Sequence, residues 1–154
     1  MTRLHVAIPL RWSDLDAYEH VNNARMFTLL EEARIAAFWG GGENGAPTAV
    51  LTTGPGSESV TLIAGQQIEY REQIPFHREP LDVELWIGKL GGASLQVCYE
   101  VYSPVGRVPR TLYVRAAATI VLADRETGAP RRITDDERAA WEPFLETPLE
   151  FRQQ

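Results

Sequence analysis

From Val60 to Ala123 the chain runs through successive stretches of alternating apolar and polar residues, and nothing else in the sequence constrains its fold so strongly. In the first stretch, about 60–74, Ile68, Tyr70 and Ile74 fall on one face and Glu69, Arg71 and Gln73 on the other, until Pro75 ends it. In the second, 81–90, Leu81, Val83, Leu85 and Ile87 alternate with Asp82, Glu84 and Trp86. In the third, 94–103, Leu95, Val97, Tyr99 and Val101 alternate with Gln96, Cys98 and Glu100. In the fourth, 111–123, Leu112, Val114, Ala116, Ala118, Ile120 and Leu122 share one face. A period of two marks strands with one buried face. Gly91-Gly92, Pro104-Val105-Gly106 and the segment 124–130 supply turns between them. Such a meander forms a mainly antiparallel sheet whose apolar face needs a cover.

The cover comes from upstream. From Ala24 to Trp39, the residues Met26, Phe27, Leu29, Leu30, Ala33, Ala36, Ala37 and Phe38 recur at helical spacing, interrupted by Arg25, Glu31, Glu32 and Arg34. Asn22 or Asn23 is a suitable N-cap, and Gly40-Gly41-Gly42 stops the helix. Apolar residues cover most of this helix's circumference, so the pattern predicts that other elements enclose it. The small residues Ala116, Ala117 and Ala118 predict close approach of a helix to the last strand. A further strand is expected over 4–10. A capping box at Thr134-Asp135-Asp136-Glu137 predicts a short terminal helix to about Glu142, before Pro143, with the tail beyond Leu149 frayed. Residues 40–59 are rich in Gly, Pro, Ser and Thr and suit a connector, with a lid as the less ordinary alternative. The expected class is α+β: one domain over 1–154, with a curved sheet wrapped around one long central helix.

At 154 residues the chain is long enough for a single core without staples. A net charge of -6 argues against a non-specific nucleic-acid binder. The lone Cys98 fits a reducing compartment, and no run approaches a membrane span, so a cytoplasmic protein without nucleic-acid or membrane partners is expected. Cys98 lies mid-strand and is expected to be a buried, inert thiol. His5 and His77 have no metal-ligand spacing, and no metal is expected.

Polar chemistry concentrates at the strand-to-helix junction. Ser13 to Asn23 holds Asp14, Asp16, Glu19, His20, Asn22 and Asn23 immediately before the helix. A helix starting there aims free N–H groups and the positive end of its dipole at whatever the junction holds. A carboxylate beside a helix N-terminus offers a nucleophile or base together with an oxyanion donor.

The run Ser13-Asp14-Leu15-Asp16-Ala17-Tyr18-Glu19-His20-Val21-Asn22-Asn23-Ala24, followed by Glu31-Glu32-Ala33-Arg34, resembles the hotdog-fold acyl-CoA thioesterases of the 4-hydroxybenzoyl-CoA thioesterase type. Their motif is approximately D-x-D-x-x-G-H-V-N-N-A, with E-E-A-R down the helix. The resemblance implies the hotdog fold and hydrolysis of an acyl-CoA to a free acid and coenzyme A, which is part of the substrate, so no separate cofactor is expected. It implies Asp16 as the catalytic carboxylate and the backbone N–H of Asn23 as the donor that polarises the thioester carbonyl, with His20 in support. Asp14 is assigned to loop architecture. The motif glycine is Glu19 here, which adds a side chain and a negative charge beside the pocket.

Elsewhere the signals are weaker. Gly88-Lys89-Leu90-Gly91-Gly92-Ala93-Ser94 is a hairpin turn whose second reading is a cradle for the pantetheine arm or phosphates, through Lys89, Gly91, Gly92 and Ser94. Tyr70 is expected to help shape the acyl pocket. Arg107, Arg110, Arg131 and Arg132 suit a basic rim or, more simply, solvated charges. Glu31 and Glu32 are a minor alternative for the base. An exposed sheet edge predicts a homodimer or homotetramer. The rival functions are an acyl-ACP thioesterase, a hydratase or dehydratase whose His-containing motifs are absent here, and a silent acyl-CoA-binding module.

Overall fold

The computed structural model describes residues 2–39, 46–51 and 57–152. The predicted helix stop at Gly40-Gly41-Gly42 and the centre of the predicted connector, 52–56, lie outside the described residues. The elements in order are β1 (Leu4–Ile8), α1 (Asn23–Phe38), β2 (Ser59–Tyr70), β3 (Leu81–Leu90), β4 (Ser94–Tyr102), β5 (Leu112–Asp124) and α2 (Asp135–Trp141). The five strands form one antiparallel sheet in the order β1-β3-β4-β5-β2. The alternation read from sequence sets its faces: Val83, Leu85 and Ile87 of β3, Val97, Tyr99 and Val101 of β4, and Val114, Ala116 and Ala118 of β5 join one core with α1.

The expectation of one long central helix is corrected. Among the described residues there are two α-helices of modest length, 16 residues in α1 and seven in α2. α1 rises about 24 Å along its axis and lies on one face of the sheet. Met26, Leu29, Leu30, Ala33, Ala37 and Phe38 are buried, while Phe27, Glu31, Glu32 and Ile35 remain exposed. A single sheet covers only one side of a helix, so Phe27 and Ile35 on its other side stay exposed. Arg34 is buried on the packed side, where its guanidinium donates to Tyr99 Oη at 3.2 Å.

The opposite face of the sheet has a cover that sequence reading did not anticipate. The tail, expected to fray, crosses β3, β4, β5 and β2 in turn. Glu146 N donates to Ile87 O at 3.0 Å, and Trp86 Nε1 donates to Thr147 O at 3.1 Å. Leu149 and Phe151 then pack on Trp86, Cys98 and Ala117. Arg115 reaches Glu150 O at 3.3 Å, and Arg152 N donates to Glu69 Oε2 at 3.1 Å. Gly88 admits the crossing, since a Cβ there would stand 3.2 Å from Pro148 Cα. The run of small residues in β5 therefore serves both faces: Ala116 and Ala118 face the core shared with α1, and Ala117 lies under the tail. Arg3 locks this strap with ion pairs to Glu146 at 2.7 Å and to Glu84 at 3.5 Å, a further pair to Glu100, and its guanidinium over the Trp86 ring. Cys98 is buried beneath it, and burial raises its thiol pKa, consistent with an inert side chain.

α2 forms where the capping box placed it. Thr134 Oγ1 accepts from Glu137 N at 3.1 Å, and Glu137 Oε1 accepts from Thr134 N at 2.9 Å. Trp141 at its end is fully buried, stacks edge-on against Phe38 and donates to Thr48 O at 3.0 Å.

Candidate active site

The junction between β1 and α1 folds as a tight loop around its two aspartates, which do different work. Asp14 is fully buried and accepts from Arg11 N at 2.8 Å and from the Arg11 guanidinium at 3.1 Å, with Arg25 Nε at 3.7 Å. Its carbonyl accepts from Asn22 N at 2.8 Å. Asp14 therefore ties the loop entrance to the helix start, the architectural role expected of it.

Asp16 sits in the next turn. Its Oδ1 accepts from Tyr18 N at 2.8 Å and His20 N at 3.3 Å, and its own N–H donates to His20 O at 2.8 Å. This is the side-chain turn that short aspartates favour. It uses one carboxylate oxygen; Oδ2 has no hydrogen-bond partner among the described residues. Asp16 thus keeps one carboxylate oxygen uncommitted, and it lines a cleft of about 450 Å³ with His20, Asn23 and Tyr70. The volume suits a small-molecule site.

The helix end facing this cleft is capped selectively. Asn22 Oδ1 accepts from Ala24 N at 2.9 Å and Arg25 N at 3.3 Å, and Met26 N donates to Asn22 O at 3.1 Å. Of the first-turn amides, that leaves Asn23 N–H without a partner among the described residues, and Asn23 lines the cleft. His20 is held through its backbone and bridges to Pro75, and its ring Nδ1 is buried with no partner among the described residues.

Glu19, in the motif-glycine position, adopts φ 64°, the left-handed region that glycine enters freely. The loop keeps its shape and Glu19 bears the strain. Its side chain is exposed and is not among the residues lining the cleft. Glu19→Gly is expected to raise stability by about 0.5–1 kcal/mol. Relief of the left-handed conformation, roughly 1–2 kcal/mol, exceeds the extra freedom of an unfolded glycine. Thermal unfolding would show this as a Tm increase of about 2–4 °C; a lower Tm would contradict the assignment.

The remaining predicted residues divide by position. Tyr70 ends β2 at the cleft, where its hydroxyl donates to Asn23 O at 2.7 Å, and burial raises its pKa. Lys89, Gly91, Gly92 and Ser94 stand at the other end of the sheet. Tyr70 aligns through Val114 and Val101 with Val83, so the β3–β4 turn lies roughly 20 Å or more further along the strands. Gly91 O accepts from Arg138 and Gly92 O from Ile133 N, both at 2.8 Å, so this turn docks the segment leading into α2. The four arginines do not form one rim. Arg110 pairs with Asp82 and Glu84 at the cleft end, Arg131 is bound two-pronged to Glu137 at the far end, and Arg107 and Arg132 are exposed. Glu31 and Glu32 are exposed on α1 and do not line the cleft.

Sequence reading missed the wall formed by Arg71, Gln73 and Ile74. The alternation continues through Ile74, but β2 ends at Tyr70 and the chain turns out of the sheet, where Ile74 O accepts from Val21 N at 2.9 Å. Pro75 just beyond was the available signal. Among the described residues, no group of three or more His, Cys, Asp or Glu is placed to hold a metal ion, and no helix is long and apolar enough to cross a membrane.

An antiparallel five-stranded sheet with one helix on its inner face, and a carboxylate at that helix's N-terminus, is the architecture of the hotdog thioesterases. The chain belongs to the thioesterase-like superfamily, whose family model matches residues 10–147. Among known proteins, YsmA of Bacillus subtilis (strain 168), itself uncharacterised, is 25% identical over 131 residues, covering 85% of this chain and 80% of YsmA. The structure of the PA2801 protein from Pseudomonas aeruginosa is 28% identical with a TM-score of 0.73, over 90% of this chain and 98% of that one. The DHNA-CoA thioesterase from Staphylococcus aureus shares the fold at 16% identity and a TM-score of 0.71, over 93% and 91% of the two chains.

Proposed function

We propose that this protein hydrolyses acyl-CoA thioesters to a free carboxylic acid and coenzyme A in the cleft between Asp16 and the Asn23 amide. The observation that carries this is the selective capping of α1: Asn22 occupies the amides of Ala24 and Arg25 and leaves that of Asn23 uncommitted, in the same cleft as the free oxygen of Asp16. A thioester carbonyl oxygen accepting from Asn23 N–H gains charge stabilisation as it becomes an oxyanion, supported by the positive end of the helix dipole. Asp16 then either attacks the carbonyl carbon, breaking the C–S bond and forming an anhydride that water hydrolyses, or draws a proton from an attacking water. Both routes release the acid and the thiol. Membership of a thioesterase superfamily and a structural neighbour acting on a CoA thioester support the reaction class and the carrier. Glu19, the departure from the family motif, lies outside the cleft lining.

Hydrolysis of aliphatic and aromatic acyl-CoAs, followed by release of free thiol, tests the proposal. Turnover of at least one class is expected, faster than with the matching acyl-carrier-protein thioester. Binding of a nonhydrolysable acyl-CoA analogue with no thiol release from any substrate would overturn it.

The working form is proposed to be a homodimer or homotetramer. β2 is an edge strand of 12 residues on which Leu62 is 50% and Ile63 41% exposed, a surface that soluble monomers avoid. Two such edges paired antiparallel about a two-fold axis set the far end of one sheet beside the cleft end of the other. In that arrangement the turn bearing Lys89, Gly91, Gly92 and Ser94 comes nearer the partner's cleft than its own. Sizing with light scattering is expected to give a multiple of 17.2 kDa; a monomer would count against this arrangement.

A further inference from the structure

We propose that Tyr70 is a positioning residue for the hydrolysis described above, set from the opposite face of the sheet by the C-terminal strap; the inference rests on that reading of the cleft. Tyr70 is the last residue of β2, and the chain leaves the sheet directly after it, with Arg71 N and Glu72 N both donating to Tyr113 O. Tyr70 is half exposed, yet its hydroxyl donates at 2.7 Å to the carbonyl of Asn23. That carbonyl belongs to the same peptide plane as Ala24 N–H, which Asn22 Oδ1 holds at 2.9 Å. The plane is therefore fixed at both its oxygen and its hydrogen. On the other side of Asn23, the backbone is fixed by Asn22 N donating to Asp14 O at 2.8 Å. Between two pinned neighbours, the Asn23 N–H has one direction, into the cleft.

The strap reaches this tie through the next residue along β2. Side chains alternate across a strand, so Glu69 points to the outer face where Tyr70 points to the inner one. Glu69 accepts from Arg152 N at 3.1 Å, and Arg71 and Arg115 lie 3.4 and 4.0 Å from it. Within the chain β2 has a sheet neighbour on one side only, and the chain leaves the sheet directly after Tyr70, so this end is the part of the strand least held by the sheet itself. The strap, anchored by Leu149 and Phe151 on Trp86 and Cys98, holds that end down. The tail thereby aims an amide on the other side of the sheet, through Glu69, Tyr70 and the Asn23 carbonyl.

The test uses the full chain with a hydrolysed acyl-CoA, comparing native protein, Tyr70→Phe, Glu69→Ala and the double variant. Tyr70→Phe keeps the ring against the cleft and removes only the hydroxyl. It is expected to lower kcat about tenfold with KM changed less than about twofold, because a misaimed donor weakens transition-state binding and not substrate binding. Glu69→Ala is expected to lower kcat about threefold alone and to add nothing in the Tyr70→Phe background. An unchanged kcat, or a raised KM at constant kcat as a plain substrate contact would give, overturns the positioning role; additive losses overturn the link to the strap. If the native protein hydrolyses no acyl-CoA, the functional reading fails instead. Amide hydrogen exchange still decides the tie: faster exchange at Ala24 and Arg25 in Tyr70→Phe supports it, and equal exchange overturns it.

Discussion

Asp16→Asn is expected to lower kcat about a thousandfold or more toward every acyl-CoA the native protein hydrolyses, without unfolding it. The substitution is clean for a structural reason. In the native loop Oδ1 of Asp16 only accepts, from Tyr18 N and His20 N. An asparagine carbonyl accepts both hydrogen bonds equally well, so the turn that carries the side chain survives. What disappears is the second oxygen and the charge, the parts that under the proposed mechanism attack the carbonyl or draw a proton from water. Asp16→Ala would be a poorer test, because it also removes the turn's acceptor and so mixes loop disorder with lost chemistry. Steady-state thiol release, with Tm measured alongside, separates these effects: an intact Tm with collapsed turnover is expected. Turnover within threefold of native would remove Asp16 from the mechanism and leave the cleft with no other carboxylate in a turn at the helix N-terminus.

The two aspartates also mark how far sequence reaches. Their spacing before an apolar helix pointed to the junction that lines the cleft, and the strands appeared close to where alternation put them, because period-two burial is a local property of the pleat. Burial itself is not local. That Asp14 is enclosed by Arg11 and Arg25 while Asp16 keeps a free oxygen depends on how the loop closes on α1. Pattern also cannot distinguish a residue buried by the sheet from one buried by a cleft wall, which is why Ile74 read as strand. The strap was illegible for a related reason. Leu149 and Phe151 are two apolar residues flanking a glutamate in a short tail after Pro148, and their partners, Trp86, Cys98 and Ala117, lie 30 or more residues upstream. The alternation did show that the second face of β3 and β4 carries Trp86 and Cys98, so a cover was needed there too. The helix was misjudged in the opposite direction: Phe27 and Ala36 helped make it look enclosed, whereas both are exposed. The glycine turn at 91–92 was legible as a hairpin, but its distance from Asp16 was not, since strand register is invisible until the sheet is assembled.

Trp141→Ala is expected to cost about 4 kcal/mol of folding stability, a large part of the roughly 5–15 kcal/mol typical of a domain. Trp141 is the point where otherwise separate parts meet. It ends α2, packs edge-on at 6.1 Å between centroids against Phe38 at the end of α1, and donates its indole N–H to Thr48 O. Truncation opens a cavity the size of an indole and leaves a buried carbonyl without its donor, and both effects are unfavourable. Trp141→Phe keeps a ring against Phe38 and loses the hydrogen bond with part of the volume, so about 1–2 kcal/mol is expected. Urea denaturation with the slope held common to the variants measures both, and equal losses would mean that the hydrogen bond, not the packing, holds this corner. The same experiment bears on the site. Phe38 lies at the opposite end of α1 from Asn23, about 22 Å along the axis, and the cleft is built from the loop, the end of β2 and the first helical turn. Trp141→Ala protein that remains folded at low temperature should therefore turn over substrate at close to the native kcat. A kcat loss as large as that of Tyr70→Phe would show instead that α1 transmits displacement along its whole length, and that its N-terminal amides are aimed from both ends of the helix.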